Sequence, residues 1–236
     1  AIAELLISKG HTVICTGRRQ EKLDELKSQL GDNFIPLNFD VSDLPATKTA
    51  LQTLPTDLRN HIDVLVNNAG LALGLEPADK TDFADWQQMV NTNILGLIHL
   101  THEILPLMVA NNDGYIINLS STAGNYPYFG GNVYGATKAF VTQFSLNLRA
   151  DLVGKNIRVS NIEPGLCGGT EFSNIRFHGD DAKAAQVYNS VQYVIPQDIA
   201  NMVAWLIEQP KHVNINRIEV MPTAQTFAGL KVVKDL

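Results

Sequence analysis

The sequence predicts a single α/β domain built on a doubly wound parallel β-sheet with helices on both faces. Short apolar segments rich in Val and Ile alternate along the chain with longer segments whose apolar residues recur every three or four positions. This alternation indicates parallel strands, because parallel neighbours need a helical crossover between them. The 236 residues are 45% hydrophobic and 18% charged, which suits one compact domain over residues 1–236.

Each predicted strand is a short run of β-branched and other apolar residues. In chain order the strand segments are HTVICTG (11–17), FIPLNFDV (34–41), IDVLVNNAG (62–70), GYIINLSS (114–121), IRVSNIEPG (157–165) and RIEVMP (217–222). The helical segments have apolar residues on a shared face, and they are 1–10, 20–30, 44–54, 83–109, 132–152 and 196–209. Residues 168–190 depart from the alternation, with mixed polarity and Gly-rich turns, so we predict that they form a mobile lid.

Composition argues against several classes of function. A formal net charge of −6 disfavours non-specific nucleic-acid binding, which needs a basic surface. No uninterrupted apolar run reaches the roughly 18 residues of a membrane span. The two cysteines, Cys15 and Cys167, do not suggest a disulfide framework, which favours a reducing cytoplasm. None of the six histidines has the spacing of a metal-ligand motif, so no metal is predicted.

The residues that follow the strands carry most of the functional information, because ligands of doubly wound folds bind outside the carboxyl ends of the strands. These positions hold TGRR (16–19), Asp40-Val41, NNAG (67–70), Ser120-Ser121 and PGLCGGT (164–170). Together with NTNILG (91–96) and YGATK (134–138), they make the chain resemble a short-chain dehydrogenase/reductase over nearly its whole length. The resemblance implies a Rossmann-type, NADP-binding oxidoreductase domain.

The chain departs from that family at its start. Members open with a strand and a Gly-rich phosphate loop of TGxxxGxG type, and this sequence contains neither. That strand would lie centrally in the sheet, where its loss would leave backbone groups unpaired. We therefore expect the natural polypeptide to continue upstream by one strand and a glycine loop.

Tyr134 and Lys138 are the predicted catalytic pair. Residues four apart on a helix share one face, so both side chains can enter a cleft, where an ammonium would lower the pKa of the phenol. The alternative is an amphipathic helix on which the two residues are incidental. The resemblance implies that Ser121 hydrogen-bonds the substrate oxygen, that Lys138 also holds the nicotinamide ribose, and that Asn93 supports a proton-relay water.

The cofactor prediction is NADP rather than NAD. The turn TGRR ends the second strand of the fold with Arg18 and Arg19, whose planar guanidinium groups match phosphate oxygens, and it carries no acidic residue. A solvated turn is the alternative for the two arginines. Asp40 and Val41 are predicted to flank the adenine, with a capping or turn role as the alternative for Asp40.

Two further groups of residues are predicted to contact the cofactor. Asn68 and Gly70 would allow close approach of the backbone to the adenosine ribose. The residues after the fifth strand would surround the nicotinamide amide and the pyrophosphate; these are Pro164, Gly165, Leu166, Gly168 and Thr170.

A narrower resemblance points to the branch of the family that oxidises 3-hydroxy acids, including L-allo-threonine and serine, or reduces the corresponding semialdehyde of 3-hydroxypropionate. It rests on NNAGLALGLEPA, GNVYGATKAFVTQFSLNLR and IEPGLCGGTEFSNIRFHGDD. The substrate carboxylate needs a cationic partner, and Arg176 in the predicted lid is the candidate. The alternative pairs Arg176 with Asp180 or Asp181.

Other functions remain open from sequence alone. A broad carbonyl or 3-ketoacyl reductase would use the same residues, and a non-enzymatic NADP-sensing protein would keep the fold without the chemistry. The helices at 84–109 and 133–152 are apolar on more than one face, which predicts self-association. The resemblance implies a homotetramer, and the C-terminal segment 221–236 could reach a neighbouring subunit.

Overall fold

The structure is a computed structural model that describes residues 1–227; residues 228–236, with most of the C-terminal segment expected to reach a neighbour, lie outside the described residues. The strands are β1 Val13–Gly17, β2 Phe34–Asn38, β3 Val64–Asn67, β4 Gly114–Leu119, β5 Ile157–Pro164 and β6 Arg217–Val220. The helices are α1 Ile2–Ser8, α2 Gln20–Leu30, α3 Leu44–Thr53, α4 Thr56–Asn60, α5 Phe83–Val90, α6 Leu97–Asn111, α7 Asn132–Asp151, α8 Phe172–Arg176, α9 Asp181–Gln186 and α10 Pro196–Glu208.

All strand pairs are parallel, and the predicted fold class is confirmed. The ladder β3-β4-β5-β6 forms one sheet and β1-β2 a second, and within residues 1–227 no ladder joins β1 to β3. Both sheets contribute to the same two hydrophobic clusters. Leu37 of β2 and Ile116 of β4 belong to the first cluster. Ile117 of β4 belongs to the second cluster, and Val13 of β1 packs against that cluster. The strands therefore form one layer with a core on each face, as a doubly wound fold requires.

The six predicted strands and the six predicted helices are present, with their ends shifted by a few residues. Three short helices were not predicted, α4, α8 and α9, because five or six residues are too few to show a 3.6-residue period. The segment between α5 and α6 was predicted as plain helix. It is instead a π-helix, Asn91–Gly96, a distortion that is frequent at functional sites.

The helical stretch Phe83–Asn111 is 29 residues long, with a mean hydropathy of 1.3 in its most apolar part. By length and composition alone it could cross a membrane, a test that the core helix of a globular domain also passes. In this fold α6 packs on β3 and β4, and its Ile104 and Met108 are buried in the first cluster. The stretch therefore serves as a helix of the core.

A buried carboxylate joins the last two strands to the segment that follows β4. Glu163 of β5 has no exposed surface and forms two hydrogen bonds with the Arg217 guanidinium of β6, at 2.8 and 2.7 Å. Its oxygens also accept hydrogen bonds from the Asn125 and Asn161 amides, each at 2.6 Å. Nearly all of the hydrogen-bonding capacity of this buried charge is therefore used.

Glu163→Ala should lower the free energy of unfolding by about 2 kcal/mol, because it leaves the buried Asn161 amide, the Asn125 amide and the Arg217 guanidinium without their shared acceptor. Glu219→Ala is the matched control, since Glu219 lies two residues along β6 from Arg217 and is exposed; its loss should be below about 1 kcal/mol. Urea unfolding at constant m-value measures both. Equal losses for the two variants would contradict the structural role assigned to Glu163.

Candidate active site

A cavity of about 430 Å³ lies at the carboxyl edge of the sheet, between the segments that follow β3, β4 and β5 and the helix α8. Its position agrees with the rule for ligand sites in doubly wound folds. Most of the residues predicted from the sequence line it: Asn68, Gly70, Ser121, Tyr134, Lys138, Pro164, Gly165, Leu166, Thr170 and Arg176. The predicted catalytic and substrate-binding side chains therefore share one space, with Asn93 directly behind it.

Tyr134 and Lys138 lie in the first two turns of α7, and both are buried. The Lys138 Nζ donates a hydrogen bond to the Leu119 carbonyl at 2.9 Å, which joins α7 to the end of β4. The same Nζ lies 5.9 Å from the centre of the Tyr134 ring. The shared face expected from their spacing is thus present, and both residues take part in the cavity wall.

Two glycines bring Ser121 against this helix. A Cβ on Gly124 would lie 2.8 Å from the Lys138 carbonyl carbon, and one on Gly135 would lie 2.9 Å from the Ala123 carbonyl oxygen. The turn after Ser121 therefore packs backbone to backbone on α7, an approach that larger residues would prevent. This packing explains the glycine in YGATK.

Ser121 faces the Tyr134 phenol from the end of β4. Its hydroxyl donates to the Pro164 carbonyl at 3.2 Å and accepts from the Ala123 backbone N–H at 3.1 Å. Its hydroxyl also lowers the pKa of Tyr134. The serine is therefore held between β5 and the proposed proton-transfer group.

The expectation that the ammonium would lower the pKa of Tyr134 is wrong for this structure. Burial raises the pKa of Tyr134 to about 12, outweighing the lowering by Ser121 and Arg176, while Tyr128 raises it further. Lys138 is not among the groups that shift the pKa of Tyr134; its Nζ donates to the Leu119 carbonyl instead. Burial also lowers the pKa of Lys138 to about 8, so it favours the neutral form of each group.

Asn93 lies in the π-helix and binds the segment after β3. Its Oδ1 accepts from the Leu71 N–H at 2.8 Å, and its Nδ2 donates to the Leu71 carbonyl at 2.8 Å and to the Thr137 hydroxyl at 3.0 Å. A Cβ on Gly70 would lie 3.3 Å from this Oδ1 and 3.1 Å from the Lys138 Nζ. The glycine thus keeps the backbone close to the ammonium, as a cofactor ribose contact would require.

The predicted phosphate and adenine residues lie outside the cavity. Arg18 forms a 3.6 Å ion pair with Asp40, and Arg19 binds both carboxylate oxygens of Glu171, at 3.0 and 2.6 Å. Asp40 also accepts from the backbone and side chain of Ser42, so the turn role considered for it is present. No sequence motif indicated Glu171, which comes from the distant segment predicted as a lid.

Val41 and two residues of the segment predicted as a lid, Gly168 and Thr170, complete the predicted contacts. The Val41 carbonyl oxygen lies 2.8 Å from the position of a Cβ on Gly96, so its backbone is covered by the π-helix. Gly168 donates its N–H to the Val194 carbonyl at 2.9 Å. The Thr170 hydroxyl accepts from the Phe172 N–H at 3.2 Å, at the start of α8.

Arg176 reaches the cavity rather than the acidic residues near it in sequence. Its guanidinium lies 5.4 Å from the centre of the Tyr134 ring and donates to the Tyr128 hydroxyl at 2.5 Å. The pairing with Asp180 or Asp181 is absent: Asp180 caps α9, and Asp181 accepts from the Asn174 amide at 2.6 Å.

Among the cavity residues that sequence reasoning missed, two hold other parts of the site in place. Tyr128 holds Arg176, and the Gln225 Oε1 accepts from the Leu166 N–H at 2.7 Å and so fixes the segment after β5. Gln225 is 59 residues from Leu166 along the chain, and neither residue belongs to a motif. No local pattern could have identified them.

Comparison with known proteins gives matches along nearly the whole chain. Residues 1–180 match the family model described as short chain dehydrogenase. A probable NADP-dependent dehydrogenase of Haemophilus influenzae is 67% identical over 235 residues, 100% of this chain and 93% of the relative. The NADP-dependent 3-hydroxy acid dehydrogenase of Escherichia coli K12 is 55% identical over 231 residues, 98% of this chain and 93% of the relative. The solved closed form of a serine dehydrogenase complexed with NADP+ is 55% identical, with a TM-score of 0.97 over 99% of this chain and 94% of that chain.

Lys138→Met should stabilise the fold at pH 7 while removing the amine. Because the folded pKa of about 8 is below the 10.5 of a free lysine side chain, the folded state binds this proton less tightly than the unfolded state does, which lowers stability by its full amount below pH 8. That difference is worth about 3 kcal/mol, reduced to a net gain of about 2 by the lost hydrogen bond to Leu119. The gain should disappear as the pH rises from 8 to 10.5.

Urea unfolding of both proteins from pH 7 to 10 measures the difference. Lys155→Met is the control, because Lys155 is exposed and its change should stay within about 0.5 kcal/mol at every pH. If the difference in unfolding free energy between Lys138→Met and the wild type did not vary with pH, burial would not lower the pKa of Lys138.

Proposed function

The chain belongs to the short-chain dehydrogenase family, and we propose that it oxidises the C3 hydroxyl of small 3-hydroxy acids with NADP. Candidate substrates are L-allo-threonine, serine and 3-hydroxypropionate, the last also as the product of semialdehyde reduction. One observation carries the proposal: Ser121 and Tyr134, which suit a hydroxyl group, share a cavity with the Arg176 guanidinium, which suits a carboxylate. Similarity to relatives named for 3-hydroxy acids and serine supports it.

Arg176 favours an anionic ligand because its charge has no protein counter-ion. Within residues 1–227, the hydrogen bonds of its guanidinium go to the Gly74 carbonyl and the Tyr128 hydroxyl, and no carboxylate pairs with it. A half-buried cation without an anion binds a carboxylate at a smaller desolvation cost than a fully paired one would. A simple secondary alcohol would gain nothing from this charge.

Ser121 and Tyr134 carry the proton chemistry in this proposal. The Ser121 hydroxyl orients the C3 oxygen, and the Tyr134 oxygen takes the hydroxyl proton during oxidation or returns it during reduction. When bound, NADP supplies the acceptor for the hydride that leaves C3. A phenol with a pKa near 12 is protonated at neutral pH, so this site alone favours Tyr134 as the acid in the reductive direction.

The residues around the cavity suit a nicotinamide cofactor. Lys138 presents its ammonium beside the backbone of Gly70, and the segment from Pro164 to Thr170 borders the same space, with Asn68 at its edge. Arg18 and Arg19 would bind the 2′-phosphate, exchanging their present carboxylate partners for phosphate oxygens. Asp40, Val41 and Gly168 would border the adenine and pyrophosphate.

Asn93 belongs to the same proposal as the support of a proton-relay water beside Lys138. Its Oδ1 uses one lone pair for the Leu71 N–H and keeps a second for a water. The lid over 168–190, the homotetramer and the cytoplasmic location remain predictions.

Wild-type protein should reduce NADP with L-serine, L-allo-threonine, 3-hydroxypropionate and 3-hydroxyisobutyrate. With 2-propanol and 2-butanol its kcat/KM should be at least tenfold lower, since one charge-assisted contact is worth about 1.5–3 kcal/mol.

Tyr134→Phe should lower kcat by about 10² or more at unchanged NADPH affinity. Absorbance of the reduced cofactor measures turnover. Equal efficiency with the alcohols would reject the carboxylate requirement, and absence of turnover with every substrate would favour a non-enzymatic role.

Arg18→Ser and Arg19→Ser should each raise the dissociation constant of NADPH by about tenfold or more and leave that of NADH nearly unchanged, because only NADPH carries the 2′-phosphate. Lys22→Ser is the control, since Lys22 is an exposed cation on the next helix that pairs with Glu25. Fluorescence titration measures all four proteins. Equal losses for NADPH and NADH would contradict the assignment.

A further inference from the structure

Tyr128 stands at the centre of a contact that connects the lid helix α8 to the cavity wall. It comes from the segment between the Thr122–Gly124 turn and α7 and lines the cavity beside Tyr134. Its hydroxyl accepts a 2.5 Å hydrogen bond from an Nη of Arg176, whose guanidinium also lies 5.6 Å from the centre of the Tyr128 ring. The phenol therefore contacts the proposed carboxylate-binding group through both its ring and its oxygen.

The hydrogen of the Tyr128 hydroxyl remains available to a ligand. A phenol oxygen that accepts from a guanidinium can still donate its own hydrogen, and in the described part of the chain no protein acceptor takes it. Arg176 uses Nε for the Gly74 carbonyl and one Nη for Tyr128, which leaves its other Nη free. Two neighbouring donors of different residues thus border the same cavity.

We propose that Tyr128 determines specificity for a substrate carboxylate, by holding the Arg176 guanidinium in place and by donating its own hydrogen bond to one carboxylate oxygen. The inference rests on the proposed function, because it requires a small hydroxy acid as substrate. A carboxylate has two oxygens, which match one guanidinium donor and one phenol donor. An uncharged analogue of the same length would gain much less from either group.

The receptor is complete only while the lid helix is docked. Besides the side-chain bond to the Gly74 carbonyl at 3.2 Å, the Arg176 backbone carbonyl accepts from the Gly74 N–H at 2.8 Å. Tyr128 adds the third bond and connects this dock to the segment that follows Ser121. Binding of the carboxylate and seating of α8 on the segment after β3 are therefore one event.

Tyr128→Phe tests the proposal, because it removes one oxygen and keeps the ring against Arg176. With L-serine, KM should rise about 10- to 100-fold, since a hydrogen bond to a charged group is lost, while kcat changes less than about threefold. With L-serine methyl ester, which has no carboxylate, KM should not change. Tyr115→Phe is the control: its hydroxyl hydrogen-bonds the Ser160 hydroxyl at 2.6 Å in the core, away from the cavity lining, so KM for both compounds should stay at the wild-type value.

Two further measurements separate this role from a structural one. The NADPH dissociation constant and the thermal midpoint of Tyr128→Phe should match those of the wild type. A KM increase of equal size for serine and its methyl ester, or no increase for either, would overturn the role of Tyr128. If wild-type protein itself used the methyl ester as well as serine, the carboxylate requirement of the proposed function would fail instead.

Discussion

The bond from the Lys138 ammonium to the Leu119 carbonyl is the contact around which the site is arranged. It places a cation in a buried position at the end of β4, where burial opposes its charge. The groups around it are closely packed: the Ser120 hydroxyl donates to the Lys138 carbonyl at 2.6 Å, and a Cβ on Gly70 would lie only 3.1 Å from Nζ. The Lys138 side chain is thus the point at which three backbone segments come together, namely α7, the end of β4 and the segment after β3.

Burial raises the pKa of Tyr134 and lowers the pKa of Lys138, and each shift favours the neutral form of the side chain. Tyr134 moves to about 12 and Lys138 to about 8 in pKa. A charged ligand changes this balance, because an anion in the cavity favours the ammonium, and an ammonium near the phenol favours the phenolate. The protein alone therefore does not supply the pKa lowering inferred from the spacing of YGATK.

The sequence was sufficient for the layers of the fold, because each strand and long helix has its own period and the ends of parallel strands must meet at one edge. The spacing of Tyr134 and Lys138 predicted that both lie on one face of a helix, and the resemblance to the family added Ser121; all three line the cavity. The sequence could not locate Tyr128, Gln225 or Glu171, which depend on contacts between distant segments. The direction of the Tyr134 pKa shift was missed because it depends mainly on burial, which the spacing of the residues does not show.

The segment predicted as a lid is held at the two ends of its first helix by contacts of different kinds. Before α8, Glu171 pairs with Arg19 in an exposed ion pair, which solvent and salt weaken. At the end of α8, Arg176 is half-buried and docks on Gly74 and Tyr128 through backbone and side chain together. Because Arg19 is the proposed phosphate ligand and Arg176 the proposed carboxylate ligand, α8 connects the two ligand sites through one short rigid element. A phosphate that takes Arg19 from Glu171 frees only the weaker contact, so the stronger one can keep the carboxylate receptor assembled while the cofactor side rearranges.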